Sequence, residues 1–176
     1  MPSGILDSFT SAQVVISSDH HYIHEGEGWV LTGDTGNIAA AGVAHISFKT
    51  PVKANGVIHF RPAKFSSSAN SASITITRGA VMTGGSVAVP VNANGLYDSK
   101  VSMADIKTGA TLTTAGVGII YKENVGTGGV PNRSGGSGGS EEERILAPDT
   151  VYSITFKNTG AATATICSYM LFWYEE

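Results

Sequence analysis

Val43-Ala44-His45-Ile46-Ser47-Phe48-Lys49 is the stretch that decides the fold class. Ala44, Ile46 and Phe48 fall on one side of it; Val43, His45, Ser47 and Lys49 fall on the other. Successive side chains of an extended chain point to opposite faces, so a period of two marks a strand with one face buried. The pattern recurs downstream. In Val57–Arg61, Ile58 and Phe60 share a face against His59 and Arg61; in Ser73–Arg78, Ile74 and Ile76 lie opposite threonines. Further β-rich runs occupy Ala12–Ser17, Ser86–Val91, Gly116–Lys122, Val151–Lys157 and Thr163–Tyr174. Trp29–Thr32 is another, which the turn residues Gly33-Asp34-Thr35-Gly36 are expected to end.

Composition agrees. The 176 residues include 22 glycines, with Ser, Thr and Ala abundant, a mixture that weakens helices and suits pleated strands. Asp98–Lys107 is the only helical candidate. Without crossover helices the strands must pair antiparallel. The expected class is therefore all-β, an antiparallel β-sandwich, with jelly-roll topology among its options and strand order not readable.

Gly126–Ser140 (GTGGVPNRSGGSGGS) has little side chain to bury and cannot offset the entropy of ordering. Too few residues follow it to fold alone. Residues 126–143 are thus expected to form a flexible loop within a single domain spanning 11–176. Residues 1–10 carry Ile5, Leu6 and Phe9 among small polar residues and read either as an N-terminal arm that contacts a partner or as an ordinary strand or frayed end.

Several function classes lose support here. The net charge of -3 offers nothing to draw the molecule to nucleic acid or anionic lipid. No run of 18 apolar residues occurs, so no membrane span is expected. The start of the chain lacks a basic region followed by an apolar one, so no signal peptide is expected and synthesis is assigned to the cytoplasm. The single cysteine, Cys167, lies in an apolar run and reads as a buried, inert thiol. No nucleophile elbow or phosphate-binding glycine loop is present, and Glu141–Glu143 and Glu175–Glu176 read as solvated. The chain is not expected to be an enzyme, and no cofactor or small-molecule substrate is assigned.

The densest polar cluster is Asp19-His20-His21-Tyr22-Ile23-His24-Glu25-Gly26-Glu27. If extended, it places His20, Tyr22 and His24 on one face, and a metal would need a further ligand from His45 or His59. The spacing matches no zinc module, so no metal is assigned. The polar and aromatic residues His20, His21, Tyr22, His24 and Trp29 suit an interface instead. At the other end, Tyr169, Leu171 and Trp173 alternate with Met170, Phe172 and Tyr174; bulk on both faces points to a central strand.

Residues 19–29 (DHHYIHEGEGW) and 171–176 (LFWYEE) carry a family likeness. Between them lie Phe48-Lys-Thr-Pro, Val89-Pro-Val-Asn-Ala-Asn, the glycine-rich loop and Leu146-Ala-Pro-Asp-Thr-Val-Tyr152. In this order they resemble the small head proteins of tailed bacteriophages that are encoded close to the major capsid protein. The resemblance implies a capsid decoration, or cement, protein with a β-sandwich domain. Such a protein binds the outer surface of an assembled shell, commonly as a trimer, and bridges major capsid protein subunits on the virion. Two rivals stand beside it: a tail, baseplate or head-fibre component that binds a receptor or carbohydrate, and a β-sandwich polysaccharide hydrolase.

Overall fold

A computed structural model of the chain describes residues 5–6, 13–14, 18–53, 56–126, 134–135 and 143–176, with backbone alone at 5–6, 13–14, 18–20, 62–63 and 134–135. The elements run β1 (Ile5–Leu6), β2 (Gln13–Val14), α1 (Ser18–His24), β3 (Gly28–Ile38), β4 (Val43–Lys49), β5 (Ile58–Ser67) and β6 (Ala72–Arg78). They continue with β7 (Val81–Thr83), β8 (Ser86–Val87), β9 (Val91–Asn92), β10 (Asp105–Thr108), β11 (Thr111–Thr114) and β12 (Gly118–Val125). The last are β13 (Ser134–Gly135), β14 (Arg144–Ile145), β15 (Val151–Asn158) and β16 (Thr165–Glu175). The protein is an all-β, antiparallel sandwich.

One sheet has the order β12-β6-β15-β4-β10-β8 and is called here the β15 sheet. The other, the β16 sheet, has the order β13-β5-β16-β3-β9, with β14 also pairing to β5. From β3 to β6 each strand sits in the sheet opposite its predecessor, and β14, β15 and β16 alternate likewise. Neighbours in sequence are thus partners across the core rather than within a ladder.

The inward faces follow the alternation in the sequence. Ile46, Ile154 and Ile76 form one cross-strand row of the β15 sheet, and Trp29, Trp173 and Phe60 form one row of the β16 sheet. All six are at most 2% exposed. Burial of each such side chain stabilises the fold by about 1.5–3 kcal/mol. Phe48 bridges the two layers, meeting Phe60 at 5.4 Å and Trp173 edge-on at 5.3 Å. Cys167 is fully buried, and burial pushes its thiol up to about 11.

Some elements differ from expectation. β3 does not stop at Gly33 but runs on to Ile38, with an irregular register opposite Ile166–Ser168 and Gly36 at a φ of 71°. The turn residues make a bulge because β16 continues alongside and supplies partners. β5 passes through Pro62, where its register with β16 shifts, as a residue without an N–H requires. Segment 18–24 is helical, so the extended reading of its histidines does not hold. The helix candidate at Asp98–Lys107 is replaced by a 3-10 turn at Gly95–Tyr97 and by strand β10. Most of the 126–143 loop, and the 1–10 arm apart from the backbone of Ile5 and Leu6, lie outside the described residues.

Buried polar groups fasten the edges. Asn158, fully buried, donates its amide to the carbonyls of Ile38, Ala39 and Thr163 and accepts from the Gly160 N–H. Glu175, read from the sequence as solvated, is 2% exposed. Its carboxylate accepts from Trp173 Nε1 (3.0 Å), Ser102 Oγ (2.6 Å) and the Met103 N–H (3.0 Å). Three described donors make a buried carboxylate tolerable where an unpaired one would not be.

Candidate functional site

The outward face of the β16 sheet differs from an ordinary solvated face. Paired residues in a ladder share a face, so the register defines its rows. The first is Ile145-His59-Tyr174, the second Arg61-Phe172-Val30-Val91, and the third Lys64-Met170-Thr32. Val30, Met170 and Phe172 are only half-buried, while Val91 and Ile145 are 66% and 69% exposed.

One corner of this face is covered by α1. A helix of seven residues is too short to persist by propensity, so tertiary contacts must hold it. Its C-terminal carbonyls, which lack intrahelical partners, are taken by neighbours. Asn94 Nδ2 donates to His24 O (3.2 Å), Asn92 Nδ2 to Gly26 O (2.7 Å), and Lys100 Nζ to Glu25 O (2.8 Å). Lys100 also pairs with Glu27 at 2.5 Å, which places a cation at the negative end of the helix. Gly26 ends the helix at a φ of 73°, and the ring of Tyr97 lies where a side chain would be.

Held this way, α1 lays Tyr22 on Tyr174 with ring centroids 4.5 Å apart and planes 13° from parallel. Tyr174 in turn stacks on His59 at 4.6 Å and 14°. Beneath the stack, the Glu143 carboxylate gathers three donors. They are His59 Nδ1 at 2.7 Å, an Arg61 guanidinium nitrogen at 3.0 Å and the Tyr174 hydroxyl. The other ring nitrogen of His59 faces Glu176 at 3.1 Å.

Burial opposes ionisation of Glu143, but the hydrogen bonds from Tyr174, His59 and Arg61 outweigh it. The carboxyl is held below its ordinary range. Burial, then the nearby Glu176, raises Tyr22 above the usual tyrosine value. The cluster ties together the chain after the glycine-rich tract, the outward face of β5 and the C-terminal strand.

The candidates read from the sequence fall into several places. Tyr22 is in the stack. His21 is exposed and pairs with Glu25 at 3.3 Å, one helical turn away, and His24 is exposed. His20 lies in α1 and Ile5 and Leu6 lie in β1, their side chains outside the described residues, as is all of Phe9. Trp29 is not available to a partner: it is 2% exposed inside the core, with no hydrogen-bond partner for its indole N–H among the described residues. No group of three His, Cys, Asp or Glu side chains among the described residues is placed to hold a metal ion.

Sequence reading missed Glu143, Arg61 and His59 as a unit. The available signal was the outward alternation His59-x-Arg61 against Tyr174-x-Glu176, which register alone converts into contact. No family model, no curated protein and no solved structure matches the chain.

Proposed function

We propose that this chain is a structural virion protein that decorates and stabilises the outer surface of a tailed-phage capsid by bridging major capsid protein subunits. The observation that carries the reading is the partly apolar outward face of the β16 sheet, of which the described residues cover only the corner under α1. Ile145, Phe172, Val30, Val91 and Met170 surround a rigid aromatic and ionic corner there. A face of this kind fits a protein partner, having an apolar centre and a rim of Arg61 and Lys64.

Two further points support it. The two patches that carry the family resemblance, 19–29 and 171–176, meet in space through Tyr22 and Tyr174. The central runs β5-β16-β3 in one sheet and β6-β15-β4 in the other, filled alternately along the chain, support a jelly-roll reading of the sandwich. In this reading the protein acts as a homotrimer at the capsid surface. Repeated weak contacts give avidity, and binding only the expanded shell stabilises that state by mass action.

The test is rebinding of purified protein to expanded capsids that lack it, followed by sedimentation and quantification. Saturable binding at a copy number matching a set of symmetry positions, with increased heat resistance of the particle, is expected. Failure to bind would overturn the reading in favour of a tail or fibre role.

A further inference from the structure

A cleft of about 300 Å³ opens between the β3 edge of one sheet and the β8–β10 edge of the other. It is independent of the outward face described above. Tyr169, Thr35, Ser86, Thr108, Ile46 and Asp34 are among the residues that line it. Thr108 lies two residues beyond the buried Ile106 and shares its inward face, and Ser86 is its cross-strand partner. Ile46 supplies apolar wall from β4.

Tyr169 is the telling residue. It is 7% exposed and packs its ring on Phe156 at 5.6 Å. Yet its hydroxyl has no hydrogen-bond partner among the described residues, and neither do those of Ser86 and Thr108. The ring is buried but the hydroxyl opens into the cleft, so its bond comes from whatever fills the cleft, water or a ligand. Room for that hydroxyl exists because residue 33 is glycine: a Cβ there would sit 2.7 Å from it. Burial, followed by the charge of Asp34, raises the phenol above its usual value, so it stays a donor across the neutral range.

We infer that this cleft is a binding site for one neutral sugar ring. Three cleft hydroxyls without a protein partner among the described residues, each able to donate and accept, match the alternating donors and acceptors of a ring of hydroxyls. The volume lies at the lower end of ligand pockets, roughly 300–1,000 Å³, which suits a single ring rather than an extended chain. Among the described lining residues the ionisable side chains besides Tyr169 are Asp34 and His45; burial keeps His45 neutral to lower pH, so Asp34 sets the charge and anionic sugars are repelled.

The experiment is ligand-detected saturation-transfer NMR on the full chain with glucose, galactose, mannose, N-acetylglucosamine and glucuronate. A ligand of about a dozen non-hydrogen atoms is expected to bind with a dissociation constant on the order of millimolar. Tyr169→Phe keeps the ring and removes only the hydroxyl; Gly33→Ala displaces the phenol. Each is expected to weaken binding at least about tenfold, because the sugar hydroxyl that meets the phenol then loses its partner. Thermal melts establish that both variants fold. Saturable binding of at least one neutral sugar, lost in both variants, supports the site. The inference fails if no neutral sugar binds at ~50 mM, well above the range that ligand efficiency sets. It fails equally if both variants bind as wild type does, or if glucuronate binds most tightly.

Discussion

The two sheets cover the same core, yet their outward faces have opposite character. On the β15 sheet the outward side of the ladder reads Lys107-Ser47-Ser153-Thr77 in one row, where Ser47 and Ser153 are themselves buried, and His45-Thr155-Thr75-Lys122 in the next. Its hydroxyls satisfy one another: Thr77 and Ser153 are 2.5 Å apart, and His45 Nδ1 meets Thr155 Oγ1 at 3.0 Å. Lysines rim it. Such a face is at rest in water. On the β16 sheet the equivalent positions hold Phe172, Met170, Val30 and Tyr174; among the described residues Tyr174 alone of these is fully covered, by a helix that has little stability of its own, and the others are half-buried. Equal inner faces and unequal outer ones separate what the fold requires from what it leaves open to the proposed capsid contact.

The largest effect should come from the layer both sheets share. Trp173→Ala removes a fully buried indole and a donor to Glu175, and is expected to destabilise the protein by about 3–5 kcal/mol in urea denaturation. A loss below about 1 kcal/mol would mean the core does not join the sheets as described. The next test separates the outer faces. Phe172→Asp is expected to weaken capsid binding or self-association by about a hundredfold or more, as for a central anchor. Thr155→Asp on the other face should leave both unchanged. The reverse result would move the interface to the β15 sheet.

Within the β16 face, Glu143→Gln should destabilise by about 1–3 kcal/mol, because Tyr174, His59 and Arg61 then face a neutral amide. The folded carboxyl is held below its ordinary value of 4.5, so the unfolded chain binds more protons in that window. Stability from Glu143 is therefore present above pH 4.5 and lost as pH falls through its folded value. Glu143→Gln should flatten this acid limb; an unchanged limb would show that Glu143 does not carry it.

The same contrast explains what could be read from the sequence. The strands β4, β6 and β15 were legible because each buries one face against a core, and burial writes itself as alternation. Their neighbours in the sheet were not, because pairing joins residues as far apart as His59 and Tyr174. The helix α1 was illegible for a related reason: Asn92, Asn94 and Lys100 hold it, and none is local to it. Glu143 and Glu175 stand in acidic runs that resemble any solvated tail, and only the donors around them make them structural. Trp29 reads equally well as a surface anchor or a core residue, since one strand position separates the two faces. The unpartnered hydroxyl of Tyr169 left no trace at all, because the absence of a partner is a property of space rather than of order.

The smallest expected effect tests whether the quiet face is as self-contained as its hydrogen bonds imply. Burial lowers the pKa of His45 below its ordinary 6.5, so the folded state resists the proton that the unfolded chain accepts. Stability contributed by His45 is thus present above pH 6.5 and declines as pH falls toward its folded value, well before Glu143 begins to titrate on the other side. His45→Gln keeps a partner for Thr155 and cannot titrate. At pH 8 it should change stability by no more than about 0.5 kcal/mol, while removing the shallow decline below pH 6.5 in a series of urea melts. Two acid steps that vanish one at a time, the first with His45→Gln and the second with Glu143→Gln, would show that the faces titrate independently across the core. If either variant removed both steps, the sheets would be coupled through the interior, and the separation of the two outward faces would have to be abandoned.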